Sequence, residues 1–269
     1  MQKYKGRIID AHTHIFPEKI AAKATASVGA FYGIEMSRIG LLDTLLDQMD
    51  RNGICHSFIL STATVPAQVR HINEFLISVM QQYKDKFTAF GTVHPGMENM
   101  TDEIDYIRSK GITGLKFHPD FQAFAVDDPV MDPVYEKAQA EKIPIVFHAG
   151  DNRYHYSTPP QFKAVMKKFP DLIAVAAHFG GYSQWQEAAE LLADTGLFYD
   201  TSSSLFGMTP ETAVNLLNKY DKEKMMFGTD FPMWSAEDEF VRIEKLNLDS
   251  ETLERIMFRN AENFLKAVK

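Results

Sequence analysis

Ile9-Asp10-Ala11-His12-Thr13-His14 closes the first apolar run of the chain, Arg7–His12, and its chemistry decides between two α/β architectures. An open doubly wound sheet usually carries a glycine-rich phosphate loop, G-x-G-x-x-G, directly after its first strand. Here that position holds two histidines and an aspartate, with no glycine. Residues two apart in extended chain point the same way, so His12 and His14 present their imidazoles together. Such a pair at a strand's C-terminal end suits the mouth of a (β/α)8 barrel, where those barrels carry their chemistry.

Working outward, short apolar runs that end in polar or glycine-rich residues recur to the end of the chain. They predict further strands at Ser57–Ser61, Thr88–His94, Gly114–His118, Ile143–His148, Ile173–His178, Leu197–Thr201 and Met225–Asp230. Ile145-Val146-Phe147 and Ile173-Ala174-Val175-Ala176-Ala177 are nearly continuous apolar runs, as parallel strands buried under helices require. Helix-period stretches lie between them at Leu41–Asn52, Ala67–Tyr83, Asp132–Glu141, Gln161–Phe169 and Ser183–Asp194, with a last one at Ser250–Ala267. Asn52-Gly53, Lys110-Gly111 and Thr195-Gly196 each close a helix with glycine before the next strand. The repeated strand–helix alternation predicts an α/β fold, a (β/α)8 TIM barrel, as a single domain over residues 1–269. Pro17–Ile39, which contains Phe31-Tyr32-Gly33, is long for a βα loop and is expected to be a lid over the mouth.

Composition limits the partners. Hydrophobic residues at 45% and charged ones at 24% are ordinary for a globular protein. A net charge of −8 argues against nucleic acid as the main partner and leaves a small-molecule substrate. No window approaches the roughly 18 apolar residues of a membrane span, and Met1–Ile9 lacks the apolar core of a signal peptide. The lone Cys55 excludes an intrachain disulfide and fits a reducing compartment, so a soluble cytoplasmic protein is expected. Assembly stays open, a homodimer included.

The candidate chemistry lies in the strand ends. Of nine histidines, His12, His14, His94, His118, His148 and His178 fall at or just beyond such ends, joined by Asp200 and Asp230. Polar residues closing a barrel would account for His12 and His14, but not also for His148, His178 and Asp230. Imidazole and carboxylate together suit Zn²⁺, with Fe²⁺, Co²⁺, Mn²⁺ or Ni²⁺ as alternatives. Arg153 and Tyr154, beside His155 on the loop after strand 5, offer a planar fork for a substrate carboxylate; the plainer alternative is a solvated loop charge. His118 either contacts substrate or bonds Lys116 and Asp120, and Trp234 is a pocket wall or ordinary packing. Asp200, with Thr201, Ser202 and Ser203, can orient substrate or a ligand. His56, His71 and Cys55 are expected to be structural.

These motifs carry a resemblance. Ile9-Asp10-Ala11-His12-Thr13-His14, Gly114-Leu115-Lys116-Phe117-His118-Pro119, Phe147-His148-Ala149-Gly150, Ala177-His178-Phe179-Gly180-Gly181, Gly228-Thr229-Asp230-Phe231-Pro232 and Arg259-Asn260-Ala261 follow in the order of the amidohydrolase superfamily. From Ile8 to Leu265 the chain resembles its amidohydrolase-related (amidohydrolase 2) branch. That branch includes aminocarboxymuconate-semialdehyde decarboxylase, γ-resorcylate decarboxylase and many predicted metal-dependent hydrolases. The resemblance implies one divalent metal, zinc first, held by His12, His14, His148 and Asp230, with Asp230 and His178 catalytic. It also implies a choice at Lys116, which bridges two metals as a carbamate in binuclear relatives and does not in the mononuclear branch; one metal is expected here. Lys116, His118, Arg153, Tyr154 and Trp234 are the candidate substrate contacts. The expected reaction is attack of a metal-activated water on an amide, ester or lactone carbonyl. Nonhydrolytic decarboxylation of an aromatic or unsaturated acid is the alternative, and an inactive ligand-binding barrel the alternative of another class.

Overall fold

The computed structural model describes residues 1–268. Its eight strands are β1 (Ile8–His14), β2 (Ile54–Leu60), β3 (Phe87–Gly91), β4 (Gly114–Phe117), β5 (Ile145–Phe147), β6 (Ala174–Ala176), β7 (Phe198–Asp200) and β8 (Met225–Met226). They pair in chain order, each parallel to the next. The last gap is bridged by backbone bonds from Ala11 N–H to Phe227 O (2.8 Å), Asp230 N–H to His12 O (2.8 Å) and His14 N–H to Phe231 O (2.7 Å). The sheet therefore curls into the barrel that the alternation predicts.

The strands are shorter than the apolar runs, and the reason is local. Phe227 gives its N–H to Ile256 O (2.8 Å), which ends β8 early. His178 and Asp230 take left-handed φ of 60° and 61°, which turns them out of their ladders. Of the strand-end residues of sequence analysis, His12, His14 and Asp200 stay within their strands, while His94, His118, His148, His178 and Asp230 stand one to four positions past theirs, on the turns that line the mouth.

Around the barrel lie helices α1 (Glu18–Tyr32), α2 (Leu42–Asn52), α3 (Val69–Gln82), α4 (Met100–Ser109), the single turn α5 (Pro119–Gln122), α6 (Asp132–Ala140), α7 (Pro159–Lys168), α8 (Trp185–Leu192), α9 (Pro210–Leu217), α10 (Ala236–Glu244), α11 (Ser250–Glu254) and α12 (Asn260–Ala267). Gly53 closes α2 with φ 68°, a conformation that a side chain would disfavour. Phe264 of α12 meets Phe58 of β2 (5.9 Å between centroids), Phe90 of β3 (6.4 Å) and Phe198 of β7 (5.0 Å). Strands 3 and 7 lie on opposite sides of the barrel, so α12 stops its floor. Among the described residues no helix is long and apolar enough to cross a membrane.

Pro17–Ile39 is corrected: it is largely the helix α1, and not an irregular loop. Its alanines are strong helix formers, but they give little contrast between faces, so no 3.6-residue period shows in the sequence. Ala21, Thr25 and Gly29 form the buried stripe. A Cβ at Gly29 would stand 2.8 Å from Ile34 O, so the chain folds back tightly after the helix.

Candidate metal centre at the barrel mouth

His12 and His14 reach the same point from β1. Their Nε2 atoms lie 3.1 Å apart, and Asp230 Oδ1 is 3.6 Å from the first and 3.3 Å from the second. The other nitrogens fix the tautomers. His14 Nδ1 lies 2.9 Å from the Leu60 carbonyl oxygen, which can only accept, so Nδ1 carries the proton. His12 Nδ1 lies 2.8 Å from Asp200 Oδ2. Burial works to raise the Asp200 carboxyl, but the His12 ring and the Ser202 hydroxyl bonded to it hold it at about 2, so it too accepts. Both Nε2 atoms are therefore bare. Burial keeps His12 from charging, while His12 and His14 outweigh burial and hold Asp230 well below the usual carboxylate range. Two bare lone pairs and a carboxylate oxygen converge on one point, with the Lys116 ammonium 3.4 Å from His12 Nε2 beside them. That donor set fits a divalent metal.

Of the four expected ligands, three converge in this way; His148 stands one ring further on. Its Nδ1 lies 3.0 Å from His178 Nε2, and the two ring centroids are 4.7 Å apart. His178 Nδ1 lies 3.1 Å from Ser202 O, which leaves its Nε2 bare, and its ring centroid is 5.0 Å from that of His12. Burial drives the His178 imidazole down to about 4, so it is neutral at pH 7. By ring spacing, His178 stands beside His12 and His148 stands behind His178. Asp120 faces His148 Nε2 at 3.5 Å; burial and then the charge of Asp151 push its carboxyl up to about 7. Lys116 reaches inward, its Nζ 3.4 Å from His12 Nε2, and burial lowers it to about 8. His118 stacks on His148 (3.9 Å, 7°) and on Phe121 (3.7 Å, 9°). His94 does not join the ring; its Nδ1 accepts the Gly96 N–H at 3.0 Å.

The rim holds Tyr32 and Tyr182, which the sequence did not single out one by one, beside Arg153, Tyr154 and Trp234, which it did. Tyr32, the last residue of α1, puts its hydroxyl 2.8 Å from His118 Nε2 and packs against Tyr182 (5.4 Å). Arg153 is engaged: Nη2 donates to Asp151 Oδ2 (2.6 Å), Nε to Asp151 Oδ1 (3.0 Å) and Nη1 to Phe31 O (2.5 Å). Tyr154 stacks on Phe31 (5.6 Å, 8°). Trp234 donates its indole N–H to Ser203 Oγ at 3.1 Å.

The amidohydrolase family profile matches residues 9–267, and the chain belongs to that family. The fold is similar to an uncharacterised TIM-barrel protein, Bb4693, from Bordetella bronchiseptica, at 20% identity and TM-score 0.81, covering 97% of this chain and 99% of that one. It is also similar to a dihydroxybenzoic acid decarboxylase from Polaromonas sp. JS666 with bound manganese and the inhibitor 2-nitroresorcinol (15% identity, TM-score 0.75, 98% of each chain). A third likeness is to a probable 2-pyrone-4,6-dicarboxylic acid hydrolase from Acinetobacter baumannii (17% identity, TM-score 0.72, 97% of this chain and 99% of that one). No curated protein matches the chain.

Proposed function

We propose that the chain is a metal-dependent hydrolase acting on an amide, ester or lactone carbonyl of a small molecule, with one divalent cation, zinc first, held by His12, His14, His148 and Asp230. The cation would supply Lewis acidity, polarising the carbonyl and bringing the pKa of water toward about 7. The chain's own residues do the rest. Asp230, ionised and with Oδ1 beside both bare Nε2 atoms, takes the proton of the attacking water and returns it to the leaving group. His178, neutral with Nε2 unprotonated, accepts from His148 Nδ1 at 3.0 Å in this structure and is set to accept a proton once His148 turns to the cation. Lys116 donates from the barrel interior to the substrate oxygen, and the Tyr32–His118 pair closes the mouth above it.

The observation that carries hydrolysis over decarboxylation is the state of Arg153. A carboxylate substrate needs a free cation where it docks, and this guanidinium is bound to Asp151 and to the Phe31 carbonyl. Asp200 and Asp230, both held ionised, add negative charge around the mouth, which disfavours an anion further. Decarboxylation stays the second reading, because the buried Lys116 is a cation inside the site and the similar Polaromonas protein is a decarboxylase. The deciding experiment loads the protein with Zn²⁺ or Mn²⁺. Esters, lactones and amides are screened for acid release, and hydroxylated aromatic acids for CO2. Acid release supports the proposal, CO2 alone overturns it in favour of the lyase, and neither with metal bound points to an inert barrel.

A further inference from the structure

Asp230 is held from behind. Its Oδ2, turned away from the histidines, accepts from Ser203 Oγ at 2.5 Å, and that hydroxyl accepts from Trp234 Nε1–H at 3.1 Å. The direction of this chain is fixed by chemistry. An indole nitrogen only donates, so it occupies a lone pair of the Ser203 oxygen and leaves the single hydroxyl proton for another acceptor. The candidates are the Asp230 carboxylate and Met233 Sδ at 3.3 Å, and a thioether is much the weaker. Trp234 is itself fixed by Arg242, whose Cζ is 4.1 Å from the ring centroid, and by Phe206 at 4.9 Å. Ser203 is buried and adopts φ 43°, a left-handed backbone that serine rarely takes; the surrounding packing holds it where its hydroxyl meets Asp230.

We propose that Ser203 and Trp234 are positioning residues that pin Oδ2 of Asp230, so that the carboxylate offers the metal one oxygen, Oδ1, instead of two. The proposal rests on the reading of Asp230 as a ligand. A carboxylate free to swing would chelate through both oxygens and fill a coordination position that water or substrate needs. It also assigns the indole N–H of Trp234 to the protein itself, so that Trp234 is not a hydrogen-bond donor to substrate.

The test uses the full chain with Ser203→Ala, Ser203→Thr, Trp234→Phe and the Ser203→Ala/Trp234→Phe double variant. Zn²⁺ affinity is measured by competition with a chelator, and the visible spectrum is recorded with Co²⁺ in the site. Ser203→Ala is expected to change Zn²⁺ affinity by about 10–100-fold, the range for lost outer contacts to a ligand, and to weaken the Co²⁺ bands as coordination number rises. Ser203→Thr, which keeps the hydroxyl, restores both. Trp234→Phe shows a smaller effect that disappears when Ser203 is already alanine. Unchanged affinity and spectrum in Ser203→Ala, or additive effects in the double variant, overturn the proposal. Should Ser203→Ala fail to fold, Trp234→Phe and Ser203→Thr still decide, because an unaltered Co²⁺ spectrum in Trp234→Phe removes the relay. His14→Ala is the control for the underlying reading: if it keeps Zn²⁺, the metal site itself is wrong, whereas its loss beside an unaffected Ser203→Ala sinks only the relay.

Discussion

Replacing Asp200 by asparagine changes one atom and should reverse the tautomer of His12. Oδ1 of Asp200 accepts from three groups, His178 N–H (3.0 Å), Ser202 N–H (3.1 Å) and the Ser202 hydroxyl. In Asp200→Asn the amide oxygen must stay on that side to serve those donors, which turns the NH2 toward His12 Nδ1, now 2.8 Å from Oδ2. His12 Nδ1 then has to accept, so the ring proton moves to Nε2 and points at His14 and Asp230, where the proposed cation would sit. Metal binding requires that arrangement to be undone. A hydrogen bond to a charged group contributes about 1.5–3 kcal/mol, so the affinity should fall by roughly 10–150-fold. Zn²⁺ affinity of Asp200→Asn measured against a competing chelator reads this directly. The fold of the metal-free variant, followed by circular dichroism, should be retained because the three Oδ1 bonds survive. An affinity within threefold of the parent protein would refute the tautomer argument.

Purified protein should bind about one divalent ion per chain by elemental analysis, and His148→Ala should lose it; near two ions with a modified Lys116 would exclude the mononuclear site. His178→Asn should keep the ion while turnover falls by roughly 10²–10⁴, the range of a positioned acid–base group; losing the metal as fully as His148→Ala would make His178 a ligand. Asp120 is held at about 7, above its unfolded value, so its contribution to stability is present in acid and is lost as pH rises through 7. Metal-free Asp120→Asn should therefore melt above the parent protein at pH 8, with the difference shrinking toward pH 5; a pH-independent difference would count against a buried, titrating Asp120.

The barrel was legible because parallel strands under helices leave nearly unbroken apolar runs, as at Ile145–Phe147, and because glycine ends helices as Gly53 does. His12 and His14 were legible because a two-residue spacing in a strand fixes their common direction. Less could be read where position depends on the turn that follows a strand. His118, His148 and His178 share a strand-end signature with His94, but only the first three meet; strand position does not separate them, and only the family motifs left His94 out. Tyr32 was hidden for a different reason: an alanine-rich helix shows no apolar period, so its tip could not be aimed at His118. The engagement of Arg153 with Asp151 was equally invisible, since a loop arginine two residues from an aspartate is commonplace.

Because Tyr32 ends a helix, its place over the site depends on angular phase. Each residue added to α1 advances its tip by about 1.5 Å and swings it by about 100°. One alanine inserted between Thr25 and Gly29 would thus move the phenol only slightly along the axis but carry it a quarter turn away from His118, and a whole-turn insertion would restore the bearing while displacing the ring by about 5 Å. Among relatives that share this barrel, the length of the first helix counted modulo one turn would then sort mouths that are capped by an aromatic ring from mouths that are not.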